Sequence, residues 1–245
     1  MTEVQIEVAI VIPCYRVGMG ILKVIEKIDS SVKQIYVVDD ACPLKTGNIV
    51  EERCYDPRIK VIRHLNNQGV GAAVKSGYSA ALRNHARIIV KLDGDGQMNP
   101  TEVSRLINPI ILGQADYAKG NRFSSKEVWT SMPPIRLIGN IALTYISKIS
   151  SGYWKISDPN NGFTAISSEI LSKLEFSKIS DTYFFESDMI FNLGLVKASI
   201  IDVSIPAIYS GEESSLTISR SLYEFSYKHT RNYFVRMLNK LIKDY

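Results

Sequence analysis

The chain has 245 residues, 45% hydrophobic and 22% charged, which is ordinary globular usage and a length suited to one large domain. A formal charge of +4 is too small to point to a nucleic-acid partner, and no apolar run approaches the roughly 20 residues that span a bilayer, which excludes an integral membrane protein for the chain as given. Three cysteines, Cys14, Cys42 and Cys54, fall in no CxxC or Cys/His spacing; a reducing compartment fits them, and the N-terminus has no secretory pattern.

Short β-branched runs alternate with helical patterns through the first half, which is the sign of successive βαβ units and a mainly parallel sheet. The runs place strands at Val8–Ile12, Gln34–Val38, Lys60–Arg63, Arg87–Leu92 and Tyr117–Lys119, with helices near Ile21–Asp29, Gly47–Arg53, Gly71–Asn84 and Pro100–Leu112. Beyond them a mildly apolar helix is expected over Ile135–Trp154, then a turn at Asp158-Pro-Asn-Asn-Gly162, a helix around Phe185–Gly194, a strand pair near Ile200–Tyr209 and a polar loop at Ser210–Ser215. The last stretch, Leu216–Tyr245, carries Arg220, Lys228, Arg231, Arg236, Lys240 and Lys243 against Glu224 and Asp244, and reads as a basic amphipathic helix suited either to solvent or to an anionic membrane surface. We therefore divide the chain into residues 1–215 and a C-terminal helical segment, 216–245.

Ligands of open parallel sheets collect at the carboxyl ends of the strands, where loops and helix N-termini converge. A polar cluster follows every expected strand of the first half: Pro13-Cys-Tyr15, Asp39-Asp40, Asn66-Asn-Gln-Gly69, Asp93-Gly-Asp-Gly-Gln97 and Gly120-Asn-Arg122. Asp93 and Asp95, one glycine apart, put two carboxylates where a hard divalent cation can be shared with phosphates, and Gln97 adds a neutral oxygen. Asp39 and Asp40 are awkward to bury without partners, so they are expected to face a solvated cleft or ligand, one of them being able to cap the next helix instead. Gly69 to Gly77 is spaced GxGxxxxxG, which does not fit dinucleotide binding, and no GxxxxGK[ST] loop occurs.

Val11-Ile-Pro-Cys-Tyr15, Val37-Val-Asp-Asp40, Asn67-Gln-Gly-Val-Gly-Ala72, Leu92-Asp-Gly-Asp-Gly-Gln97, Gly120-Asn-Arg122, Asp158 to Phe163 and Phe185-Glu186 occur in one order over nearly the whole chain. Together they resemble the family 2 inverting glycosyltransferases of the GT-A fold, in particular the polyprenyl-phosphate mannose synthase-like branch. The resemblance implies a Rossmann-like, mainly parallel twisted sheet flanked by helices, with acceptor-side helices in the second half. It implies that Pro13, Tyr15, Asp39, Asp40, Asn67, Gly71 and Asp93 bind the nucleotide, that Asp93, Asp95 and Gln97 hold Mg2+ or Mn2+, and that Arg122, Arg136 and Asp158 lie on the acceptor side. Glu186, with Asp188 as second candidate, would be the general base, and Asp95 joins them as a catalytic residue through the metal. Residues two apart do not share a helix face, so only one of Glu186 and Asp188 is expected to reach the reaction centre.

Branch members typically carry an RxxGxSK-type loop where this chain has Tyr209-Ser-Gly-Glu-Glu-Ser-Ser-Leu216. Glu212 and Glu213 would repel a naked phosphate, which favours a hydroxyl of a polyprenyl-diphosphate-linked saccharide as acceptor over polyprenyl phosphate itself. The expected partners are a nucleotide sugar, UDP-linked by preference, a lipid-linked acceptor and a peripherally contacted membrane. The expected location is cytoplasmic, at the inner face of the cell membrane. A non-catalytic nucleotide-sugar-binding subunit is the alternative from another class.

Overall fold

In a computed structural model the described residues are 6–124, 134–206 and 218–243. Strands β1 (Val8–Cys14), β2 (Gln34–Asp39), β3 (Ile59–Arg63) and β4 (Ile88–Lys91) alternate with helices α1 (Gly20–Glu26), α2 (Thr46–Arg53) and α3 (Val70–Arg83), and α4 (Val103–Ile111) leads to β5 (Tyr117–Asn121). The second half supplies α5 (Pro134–Ser151), β6 (Thr164–Ser167), α6 (Ser168–Leu171), α7 (Phe185–Leu195), β7 (Ile200–Ser204) and α8 (Ile218–Lys243). The strands form one seven-stranded sheet in the order β3-β2-β1-β4-β6-β5-β7, with β6 antiparallel to both neighbours and the other pairings parallel.

Every residue of β1 is buried, as a central parallel strand covered on both faces requires. Alternate side chains divide between two cores: Val8, Ile10 and Ile12 pack with Ile21, Ile25 and Leu106 from α1 and α4, while Ala9 and Val11 pack with Val74, Ala81 and Met189 from α3 and α7. Burial of each such aliphatic side chain is worth about 1.5–3 kcal/mol, so the sheet is a rigid platform for the loops at its strand ends.

Two differences from the sequence expectation matter for the site. The expected strand pair near Ile200–Tyr209 is, among the described residues, the single strand β7, paired in parallel with β5; residues 207–217, and with them the Glu212-Glu213 loop, lie outside the described residues. The four-residue strand β6 has no counterpart among the expected elements. It enters between β4 and β5 against their direction, so the turn preceding it, Asp158–Phe163, is carried across the carboxyl ends of both neighbours.

Helix α8 is anchored by buried polar and aromatic contacts: His229 Nδ1 meets Ser150 Oγ at 2.8 Å, Asn232 donates to Asp188 at 2.9 Å, and Phe184 stacks edge-on to Phe225 at 5.1 Å. Burial holds the His229 imidazole down at about 4, so it is neutral near pH 7.

Candidate active site

The carboxyl ends of β1, β2, β3, β4 and β5 all lie along one edge of the sheet, because these five strands run in one direction. Across the top of β4, β6 and β5 the register sets Lys91, Thr164 and Lys119 side by side. Lys91 is 1% exposed and its ammonium lies 2.7 Å from Asp93 Oδ1, 3.1 Å from Glu186 Oε1 and 3.3 Å from the Gly162 carbonyl. Burial by itself would push this lysine down, but Asp93 and then Glu186 outweigh burial and hold it above the usual lysine range. A side chain at Gly162 would run into Lys91 Nζ and Asp93 Oδ2, so glycine there lets the 158–163 turn close over the pair.

Lys119 is likewise buried and donates to the Asn161 carbonyl at 2.5 Å; burial brings it down to about 8, while Glu186 and Asp158 act in the opposite direction. The 158–163 turn therefore rests on two lysines by its own carbonyls. At its start, buried Asp158 grips Arg122 with two hydrogen bonds, Nε to Oδ2 at 2.8 Å and Nη2 to Oδ1 at 3.0 Å. The paired geometry fixes the guanidinium plane at the end of β5 and engages both carboxylate oxygens of Asp158.

Of the expected metal-holding residues, Asp93 is 29% exposed, Asp95 is exposed and Gln97 is half-buried, and the Gln97 N–H donates to Asp95 Oδ1 at 2.9 Å. Among the described residues no group of three or more histidine, cysteine or acidic side chains converges on one point. Two hard carboxylates at a solvent-accessible loop nevertheless fit a divalent cation whose other positions are filled by diphosphate oxygens and water. Tyr15, 43% exposed with Arg16 over its ring at 5.3 Å, and exposed Asn67 stand on loops at the same edge.

Four expectations need correction. Asp39 and Asp40 do not face a solvated cleft: they are 6% and 2% exposed. Asp39 accepts from the N–H groups of Cys42 and Gly47, the second in the first turn of α2, so the capping alternative describes it. Asp40 accepts from the N–H groups of Gln68 and Gly69 and from His64, which continues to Ser76. The Gly71 N–H is spent within the chain, donating to the Asp181 carbonyl at 2.8 Å, and a side chain there would strike the Ser180 carbonyl. Asp188 does not join Glu186 at Lys91: it accepts from Ser180 N, Asn232 and Arg231, and burial raises its carboxyl despite those bonds. Pro13 is buried within β1, beyond the point where the β4 ladder ends at Val11–Lys91. Arg136 stands in the first turn of α5, and its side chain lies outside the described residues.

Sequence reasoning misses Lys91 and Lys119. Their signal is present all the same: each is a charged residue inside a short strand that is otherwise apolar or small, Ile-Ile-Val-Lys91 and Tyr-Ala-Lys119, and a lysine fully buried in a strand needs counter-charges.

A mainly parallel sheet with carboxylates, two buried lysines and an oriented arginine at one edge is an α/β arrangement of the GT-A type. The fold matches glucosyl-3-phosphoglycerate synthase of Mycobacterium tuberculosis, solved with Mn2+, uridine diphosphate and glucosyl-3-phosphoglycerate, at a TM-score of 0.66 and 18% identity over 94% of this chain and 79% of that one. The family model "Glycosyl transferase family 2" matches residues 9–175, and the chain belongs to that family. The UDP-N-acetylglucosamine–dolichyl-phosphate N-acetylglucosaminyltransferase of Methanococcus voltae is 27% identical over 215 residues, 82% of this chain and 85% of its own length. The polyprenol monophosphomannose synthase of Mycolicibacterium smegmatis is 29% identical over 201 residues, 80% of this chain and 75% of its own.

Proposed function

We propose that this enzyme moves one sugar from a UDP-linked donor to the phosphate of a polyprenyl monophosphate, with inversion at the anomeric carbon. The observation that carries the acceptor is the ion pair of Glu186 with Lys91 at 3.1 Å. To take a proton from a hydroxyl acceptor, Glu186 would have to neutralise itself beside a buried ammonium and leave that charge less compensated. An ionised phosphate needs no base, and Arg122, held in place by Asp158, is a cation of the right geometry to receive one. The two relatives named for dolichyl and polyprenyl phosphate support the same acceptor. UDP is suggested by one relative and by the ligand of the structural neighbour.

Asp93, Asp95 and Gln97 would hold Mg2+ or Mn2+, which supplies neutralisation of the charge that grows on the departing nucleoside diphosphate. The chain's own contribution is to fix the crevice: Lys91 and Lys119 support the 158–163 turn, and Asp158 sets Arg122. We also place the enzyme at the cytoplasmic membrane surface. Among the described residues no helix is long and apolar enough to cross a membrane, but Tyr145, Ile149 and Trp154 in and after α5, and Phe234, Leu238 and Leu241 on α8, are exposed, and α8 also carries Arg236 and Lys240.

The second reading, a hydroxyl of a polyprenyl-diphosphate-linked saccharide, is favoured by Glu212 and Glu213 in the sequence. Radiolabelled UDP-sugars with Mn2+, offered polyprenyl phosphate or the diphosphate-linked saccharide, separate the two. Product from polyprenyl phosphate is expected; product from the saccharide lipid alone would reverse the assignment. Transfer that is independent of metal and unchanged in Asp95→Ala would sink the proposed metal role.

A further inference from the structure

Lys91 has no part in the transfer chemistry itself, yet its position is unusual. Its ammonium is enclosed between two carboxylates, Asp93 after β4 and Glu186 in the first turn of α7, and the Gly162 carbonyl closes a third direction. At 1% exposure it has no solvent to retreat into, and its side chain is held at both carboxylates. A cation attracted to Asp93 from the open side of the loop meets this fixed positive charge behind the same carboxylate. In a partly buried setting like charges a few ångströms apart are poorly screened, so the repulsion is substantial. A diphosphate brings negative charge that offsets both cations together.

We infer that Lys91 is a positioning residue that makes divalent-metal capture conditional on the nucleotide: it weakens the affinity of Asp93 and Asp95 for the bare ion and ceases to do so once a diphosphate is present. Glu186 sets the strength of this effect, because it draws part of the Lys91 charge away from Asp93. Glu186 is thereby coupled to the proposed metal site through one ammonium. The inference rests on the reading of Asp93 and Asp95 as metal-holding residues and is independent of the acceptor.

The test is Mn2+ titration followed by the paramagnetic resonance of the free ion, with and without UDP, on the wild-type chain and on Lys91→Met, Lys91→Arg and Glu186→Gln. Without nucleotide, Lys91→Met should bind Mn2+ at least about tenfold more tightly than wild type, with the gap closing at saturating UDP. Lys91→Arg, which keeps the charge, should follow wild type, and Glu186→Gln should bind the bare ion several-fold more weakly. Unchanged or weaker binding by Lys91→Met overturns the inference. If that variant does not fold, an unchanged Mn2+ affinity in Glu186→Gln overturns it equally. Absence of Mn2+ binding in wild type even with UDP overturns it together with the metal role of Asp93 and Asp95. The expected Mn2+ pattern without sugar transfer to polyprenyl phosphate leaves it standing and removes only the proposed acceptor.

Discussion

Asp39-Asp40 closes β2 and Asp93-Gly-Asp95 comes after β4, and in the sequence the two groups look alike, each a pair of carboxylates at the end of a buried strand. In the folded chain they part company. Asp39 and Asp40 spend four of their hydrogen bonds on backbone N–H groups of Cys42, Gly47, Gln68 and Gly69, which ties the loops after β2 and β3 into shape. Asp93 and Asp95 stand further out, with a buried lysine behind the first and the second exposed. A strand-end position is shared by both pairs; what separates them is burial, since Asp39 and Asp40 are enclosed by the loops they brace while Asp93 and Asp95 keep access to solvent.

The contrast can be broken most sharply at Asp95. Asp95→Ala should lower sugar transfer by about a thousandfold and abolish Mn2+-dependent stabilisation by UDP in thermal melts, with the melting temperature of the free protein unchanged, since removal of charge stabilisation at a leaving group is worth about 3–4 kcal/mol. Asp39→Ala should do the reverse. Two buried N–H groups lose their acceptor, so unfolding in urea should show a loss of about 3 kcal/mol, while the folded fraction binds Mn2+–UDP within about threefold of wild type. A thousandfold loss of UDP affinity in Asp39→Ala would place the two pairs in the same class after all.

Asp158→Asn sharpens the comparison on the acceptor side. It keeps the size of the side chain but weakens the two bonds that orient Arg122, and should lower kcat/KM for the lipid acceptor by about 30-fold with donor affinity unchanged. The smallest effect concerns the anchor of α8. His229 is held down at about 4 in the folded chain against about 6.5 when unfolded, so the unfolded state binds the extra proton between those values. Its contribution to stability is present above pH 6.5 and is lost as pH falls toward 4. Between pH 7 and pH 5 melts should show a loss of about 1–2 kcal/mol, and His229→Gln should flatten that slope.

Much of the fold is legible in the sequence. The expected strands β1, β2, β4 and β5 and the helices between them fall within a few residues of the observed elements, and for β1, β2 and β4 the reason is that a strand covered on both faces leaves a continuous β-branched signature. The ordered strand-end clusters point to one edge and to the family. The illegible part depends on partners distant in sequence. The strand β6 is four residues long and carries little pattern of its own; only its insertion between β4 and β5 shows that Asp158–Phe163 roofs the site.

The sequence by itself therefore determined the sheet, its carboxyl edge and the residue types gathered there, since periodicity and strand-end polarity are local properties. Only the tertiary structure decided which carboxylates are committed to backbone donors, which two are paired with Lys91, and which arginine is gripped. Those outcomes are settled by contacts such as Asp40 with Gly69, 29 residues apart, Arg122 with Asp158, 36 apart, and Lys91 with Gly162, 71 apart, and no local pattern encodes such pairings.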